Sequence, residues 1–221
     1  MENNKKNTVY SPLSIEYALN MLQEGALNNT YDEINTVIRN RKLSKYTSID
    51  KVLSLANGLF ISNQYYEFVK AEYINALKEE YEAEVKQDEF KNAQNANQWI
   101  EDKTLGTIKN MLSDNLVQDP HFMMLIINTL AIDMEWKSQF NNNNTHGDTF
   151  YLDNGKEMEA TMMFKKEVSN KSIAYYKNDN ITVLSMDLKD YNGIQFEFMA
   201  IMSKENLSVM LKMQQKNKLM K

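Results

Sequence analysis

Cysteine is missing from all 221 residues, which excludes disulfides, thiolate nucleophiles and Cys-ligated metal sites. Histidine is nearly missing: His121 and His146 are the only ones. No G-x-S-x-G motif accompanies them, so a nucleophile–base triad has no support. His146 with Asp148 is too small a ligand set for a metal, and both histidines read as solvated loop residues. The expectation is therefore no enzyme, no cofactor and no metal. Prolines number 2 and glycines 6, and no stretch rich in either marks a linker, so residues 1–221 read as a single domain. No apolar run approaches a membrane span, and the start MENNKKNTVYS has no apolar secretion core. The reading is a cytoplasmic protein without membrane contact, or an extracellular one if residues precede Met1. Basic charge is short as well: 25 Lys and Arg face 30 Asp and Glu, a net −5, which argues against nucleic acid. Arg39, Arg41, Lys42 and Lys45 cluster without interleaved aromatics and read as a solvated turn.

What the chain has is led by Phe122–Ile132, FMMLIINTLAI. Apolar residues fall on both parities, the pattern of a strand covered on both faces. Such a strand needs partners for its N–H and C=O rows. Ahead of it, Ser11-Pro12 suits a helix N-cap and first position. Ile15, Leu19, Leu22 and Ala26 then recur at helical spacing. A shorter helix follows from Asn29-Thr30 to Ile38, and Val52–Ser62 reads as a strand. Asn57-Gly58 within it suggests a bulge or a close backbone approach. Tyr66–Tyr81 and Asn92–Thr104 have helical periodicity, with Gly106 closing the second. Beyond residue 132 the pattern turns to strands: Thr149–Leu152, Glu159–Phe164, Ile173–Tyr176, then alternation on both sides of Asn192-Gly193. That dipeptide predicts a type I′ hairpin turn. Asn206–Met213 suits a closing helix. Helices followed by a run of strands define an α+β fold.

Several of these segments, in order, resemble the serpins. NTVYSPLSIEYALNMLQEGALNNTYDEI resembles that family's strand-to-helix entry, and LANGLFIS the strand that follows. FKNAQNANQWIEDKTLGTIKNML is similar to its N-x-W-[VI]-x-x-x-T-x-G-x-I segment through Asn97, Trp99, Ile100, Thr104, Gly106 and Ile108. INTLAIDMEWKSQF resembles a further strand motif through Asn128, Trp136 and Phe140. Asp133-Met134 replaces the usual K-G, and Ala160-Thr161 the usual V-P. The interval from Ile38 to Val52 is too short for the long helix that carries the polyanion site in heparin-binding members.

The resemblance implies a partial serpin fold, with helices on a mixed main sheet and a smaller antiparallel strand cluster. It implies descent from inhibitors of serine or cysteine proteases, whose reactive loop is cleaved and inserts into the main sheet. It also places Ser11, Ser14 and Asn128 in the shutter that controls sheet opening, and Trp136 at the breach where insertion starts. Read as ordinary residues, Ser11 is an N-cap, Asn128 a satisfied buried amide and Trp136 a core aromatic. Nothing after Met213 resembles the reactive loop, and the family's first helix has no counterpart. The expectation is thus a truncated serpin that does not inhibit by itself, with a protease as partner only if a loop is supplied. The alternative is an interaction module whose 122–132 edge takes a strand from another chain or another copy.

Overall fold

The computed structural model describes residues 9–39, 43–152, 154–165 and 173–203. They fall into two compact units divided between Asp133 and Met134.

In the first unit, α1 (Pro12–Gln23) starts where its cap dictates, the Ser11 hydroxyl accepting the Ser14 N–H at 3.1 Å. Its buried residues are Tyr17 and Met21, whereas Ile15 and Leu22 of the expected apolar stripe are about half exposed. The face that turns inward carries Leu13, Tyr17 and Met21, at i, i+4 and i+8, against Leu59, Ile61 and Leu77. Then come α2 (Asn28–Ile38), β1 (Leu53–Ser62), α3 (Ala71–Tyr81), β2 (Glu84–Asp88), α4 (Gln94–Lys103), α5 (Asp114–Val117) and β3 (Met124–Ile132). The single helix expected over 66–81 is broken. Tyr66–Phe68 forms one 3-10 turn, and extended Val69 and Lys70 intervene before α3. Tyr66 and Val69 still reach the core that α3 serves, so the periodicity survives the break.

The sheet order is β2-β1-β3, with β1 parallel to β2 and antiparallel to β3. Its faces bury separate cores. Leu59 and Ile61 meet α1 and α3 on one side, while Phe60 and Ile127 meet Trp99 and Ile100 of α4 on the other. Phe60 and Trp99 pack edge to face, centroids 6.0 Å apart. Gly58 is a close approach rather than a bulge: β1 runs in unbroken register past it, and a Cβ there would lie 3.1 Å from the Trp99 ring.

The motif residues on either side of Trp99 hold the chain beyond α4. Asn97 Nδ2 donates to Leu112 C=O at 2.8 Å and its Oδ1 accepts the Leu112 N–H at 2.9 Å. Buried Thr104 donates its hydroxyl to Ile100 C=O at 2.7 Å and accepts the Ile108 N–H at 3.1 Å. Leu105 and Gly106 take positive φ, 54° and 74°, turning the chain away.

The second unit is β apart from one 3-10 turn at Asn142–Asn144 among its described elements. β4 (Thr145–Tyr151) and β5 (Glu157–Met163) pair antiparallel, and β6 (Ile173–Lys177), β7 (Ile181–Tyr191) and β8 (Ile194–Ser203) form an antiparallel sheet in that order. Asn192 and Gly193 have φ of 58° and 80°, which makes the predicted I′ turn. The expected 206–213 helix lies outside the described residues.

Candidate functional site: an open strand edge

β3 is the terminal strand of its sheet among the described residues. Ser62 N–H donates to Met123 C=O at 2.9 Å, and Asp133 N–H to Val52 C=O at 2.8 Å. Both bonds join odd-numbered residues of the second strand to β1. Backbone direction alternates along an antiparallel pair, so Met124, Ile126, Asn128, Leu130 and Ile132 turn their N–H and C=O away from β1. Those groups form the open edge. The strand MLIINTLAI contains no proline, lysine or acid that would discourage pairing.

A hydrogen-bond relay ends at this edge, and its polarity is fixed from the inside. The Tyr81 carbonyl, at the end of α3, can only accept, so it takes Asn57 Nδ2 at 2.7 Å. Asn57 is then left with Oδ1, which accepts Asn128 Nδ2 at 2.8 Å. Asn128 is left in turn with its own Oδ1, a buried oxygen without a hydrogen-bond partner. Behind the relay, the Tyr81 hydroxyl donates to Glu24 at 2.8 Å. Burial and the Glu24 carboxylate both push Tyr81 above the ordinary phenol range, and they raise Tyr73 to about 12. The relay thus joins the end of α1, the end of α3, central β1 and terminal β3.

The sequence-derived site residues are only partly gathered. Asn128 sits at the middle of the edge, while Ser11 and Ser14 meet each other in the α1 cap and form no described hydrogen bond to it. Trp136 lies in the second unit, half-buried, edge to face with Phe140 and Phe198 at 6.0 and 5.4 Å, and bridged to Leu188 of β7. Asn57, which the sequence marked only with Gly58 as a bulge or close backbone approach, is the link that orients Asn128. Its position opposite Asn128 in the register is what the sequence alone could not show.

The remaining candidates stay apart. His121 is exposed and meets Asp119 at 3.1 Å. His146 is not in a loop but on β4, stacked on Phe164 at 4.3 Å. Lys45 pairs with Glu80 at 3.1 Å, whereas Arg41 and Lys42 lie outside the described residues. Among the described residues no cluster of three His, Cys, Asp or Glu side chains is placed to hold a metal. None of the described helices is long and apolar enough to cross a membrane.

The family model described as Serpin (serine protease inhibitor) matches residues 1–220. The chain belongs to the serpin family. An uncharacterised serpin-like protein of Thermococcus kodakarensis is 27% identical over 222 residues, covering 91% of this chain and 49% of that protein. Human neuroserpin is 25% identical, covering 91% of this chain and 53% of its own length. The chain therefore spans about half the length of the curated relatives it matches. The Arabidopsis serpin AtSerpin1, in its native stressed conformation, superposes with TM-score 0.78 at 23% identity, over 95% of this chain and 58% of that one. The thermophilic serpin tengpin in its native state gives 0.73 at 22% identity, over 95% and 55%. The α+β fold is thus that of part of a serpin.

Proposed function

We propose that these 221 residues hold the framework of a protease inhibitor of the serpin type and do not inhibit a protease by themselves. The observation that carries this reading is the open β3 edge, with the outward backbone groups of Met124, Ile126, Asn128, Leu130 and Ile132 and the unpartnered Asn128 Oδ1 at its centre. Inhibition in this family stores its work in a strand that enters the main sheet, and the described sheet offers a place for a strand without one to fill it. Ser11, Ser14 and Asn128 act in this reading as a shutter, and Trp136 as a breach residue. The run of one family profile across the division at residue 133 supports assigning both units to a single serpin-like domain.

The test is incubation of the 221-residue polypeptide with trypsin-, elastase- and papain-like proteases, read by denaturing electrophoresis. The expected result is cleavage or indifference, with no denaturant-stable covalent complex. A stable complex with any of them contradicts the proposal.

A second reading rests on the same edge. Paired outward, the uncharged strand serves as an interaction module that accepts a strand by β-augmentation. A change in hydrodynamic size when a strand-forming peptide is added supports it, and indifference to such peptides opposes it.

A further inference from the structure

Asparagine followed by glycine occurs three times in the chain, at Asn57-Gly58, Asn154-Gly155 and Asn192-Gly193. The pair has a chemistry of its own. The glycine nitrogen, with no Cβ beside it to obstruct a close approach, can attack the asparagine Cγ. A C–N bond forms, the glycine nitrogen gives up its proton, and the side-chain nitrogen leaves with that proton as ammonia. Water then opens the five-membered succinimide at one carbonyl or the other, leaving aspartate or isoaspartate. Water is the only other reactant. All three asparagines share the same next residue, so their surroundings decide which of them reacts.

Asn57 is held against the reaction. It is 3% exposed, its Nδ2 donates to Tyr81 C=O at 2.7 Å and its Oδ1 accepts Asn128 Nδ2 at 2.8 Å. Gly58 pairs with Glu84 on one side and Ile127 on the other. Turning Asn57 onto the Gly58 nitrogen therefore requires opening the central strand. Asn154 is exposed but tied. Its Oδ1 accepts the Lys156 N–H at 3.0 Å, and the Gly155 N–H donates to Leu152 C=O at 2.9 Å.

Asn192 is neither buried nor tied. It is exposed at the tip of the β7–β8 hairpin, and its side chain makes no described hydrogen bond. The Gly193 N–H lies beyond the last ladder pair, Tyr191 with Ile194, and donates to Asp190 Oδ1 at 2.9 Å. Freeing it breaks one surface bond and no sheet bond. A Cβ at Gly193 would meet nothing within 4 Å, so the tip has room to turn. In turning, Asn192 leaves a left-handed φ of 58°, a conformation that costs an L-residue free energy.

From this contrast we propose that Asn192 is a site of intramolecular deamidation, where the native hairpin tip converts to aspartate and isoaspartate while the fold preserves Asn57. Isoaspartate routes the main chain through Cβ and lengthens a turn that needs two residues to close. The same tip anchors the segment around Trp136. The Tyr191 hydroxyl accepts the Glu135 N–H at 3.1 Å, and Lys137 Nζ donates to Gln195 Oε1 at 3.2 Å. A covalent change at Asn192 thus loosens the hold on Trp136.

The test is incubation of the native chain at mildly alkaline pH. Peptide mass spectrometry over time reads the gain in mass as an amide becomes an acid, and an isoaspartate-specific methyltransferase marks the rearranged product. The same chain in denaturant gives the unrestrained rate at each site. Asn192 should react within about tenfold of its denatured rate, and Asn57 should be slowed roughly a thousandfold or more, because a surface turn opens far more readily than a core strand. N192G retains a sequence suited to the I′ turn and should abolish the gain in that peptide alone. Trp136 emission should shift as isoaspartate accumulates, and no shift overturns the link between the tip and the 135–137 segment. Protection of Asn192 equal to that of Asn57, or faster reaction at Asn154 than at Asn192, overturns the proposal.

Discussion

The two units use β-structure in opposite ways. In residues 9–133 the sheet lies between helices: α1 and α3 cover the face carrying Leu59 and Ile61, and α4 covers the face carrying Phe60 and Ile127. In residues 134–203 the described elements are strands and one 3-10 turn (Asn142–Asn144), and Met186 is the only buried apolar side chain among the described residues there. β8 displays Phe198, Met199, Ile201 and Met202 at 47%, 52%, 48% and 68% exposure. Adjacent residues of a strand point to opposite faces, so neither face of β8 is well covered. Among the described residues, the first unit leaves one sheet edge unpaired and the second leaves its strands without a covering layer. Apolar sequence thus means core in one unit and bare surface in the other.

Substitutions make that comparison quantitative. Phe60→Ala, at 1% exposure beneath Trp99, should cost about 3–5 kcal/mol in denaturant unfolding. Met199→Ser, a comparable apolar strand position but half exposed, should stay within about 0.5 kcal/mol. Equal costs would mean that the two units are packed alike. Asn57→Ala comes between them. It leaves the Tyr81 carbonyl and Asn128 Nδ2 without each other's bridge, at about 1–3 kcal/mol for buried groups left unmade.

The smallest effect is in pH. Tyr73 and Tyr81 are both raised in the folded protein, so the native state holds their protons more tightly than the unfolded chain. The stability they contribute is whole below the unfolded phenol value of about 10 and falls as pH rises above it. Spectrophotometric titration should show a late-titrating class of tyrosines that includes Tyr73 and Tyr81. Tyr73→Phe and Tyr81→Phe should each shrink the late class, and Tyr17, also raised by burial, should remain in it.

Much of this was legible in the residues, and what was not has identifiable causes. Ser11-Pro12 announced α1, and Asn192-Gly193 announced the β7–β8 turn, because caps and I′ turns rest on local chemistry. The antiparallel partnership of β3 with β1 joins residues far apart in the chain, which local chemistry does not show. β2 was missed because EVKQD is short and charged, with one apolar residue, and reads as a loop. The inward face of α1 was misjudged because two apolar stripes share that helix, and only packing selects Tyr17 and Met21. The site itself was half visible. Asn128 stood out by the motif, but the polarity of its amide follows from Asn57 and the Tyr81 carbonyl, a link that exists only once β1 and β3 are in register.

Amide hydrogen exchange along β3, measured at progressively lower protein concentration, tests the open edge most directly. At low concentration the amides of Leu125, Ile127, Thr129 and Ala131 should be protected by β1, while those of Met124, Ile126, Asn128, Leu130 and Ile132 exchange rapidly. Equal protection of both sets, unchanged by dilution, would show that the chain's own residues already line the far side of the strand, and would contradict the account.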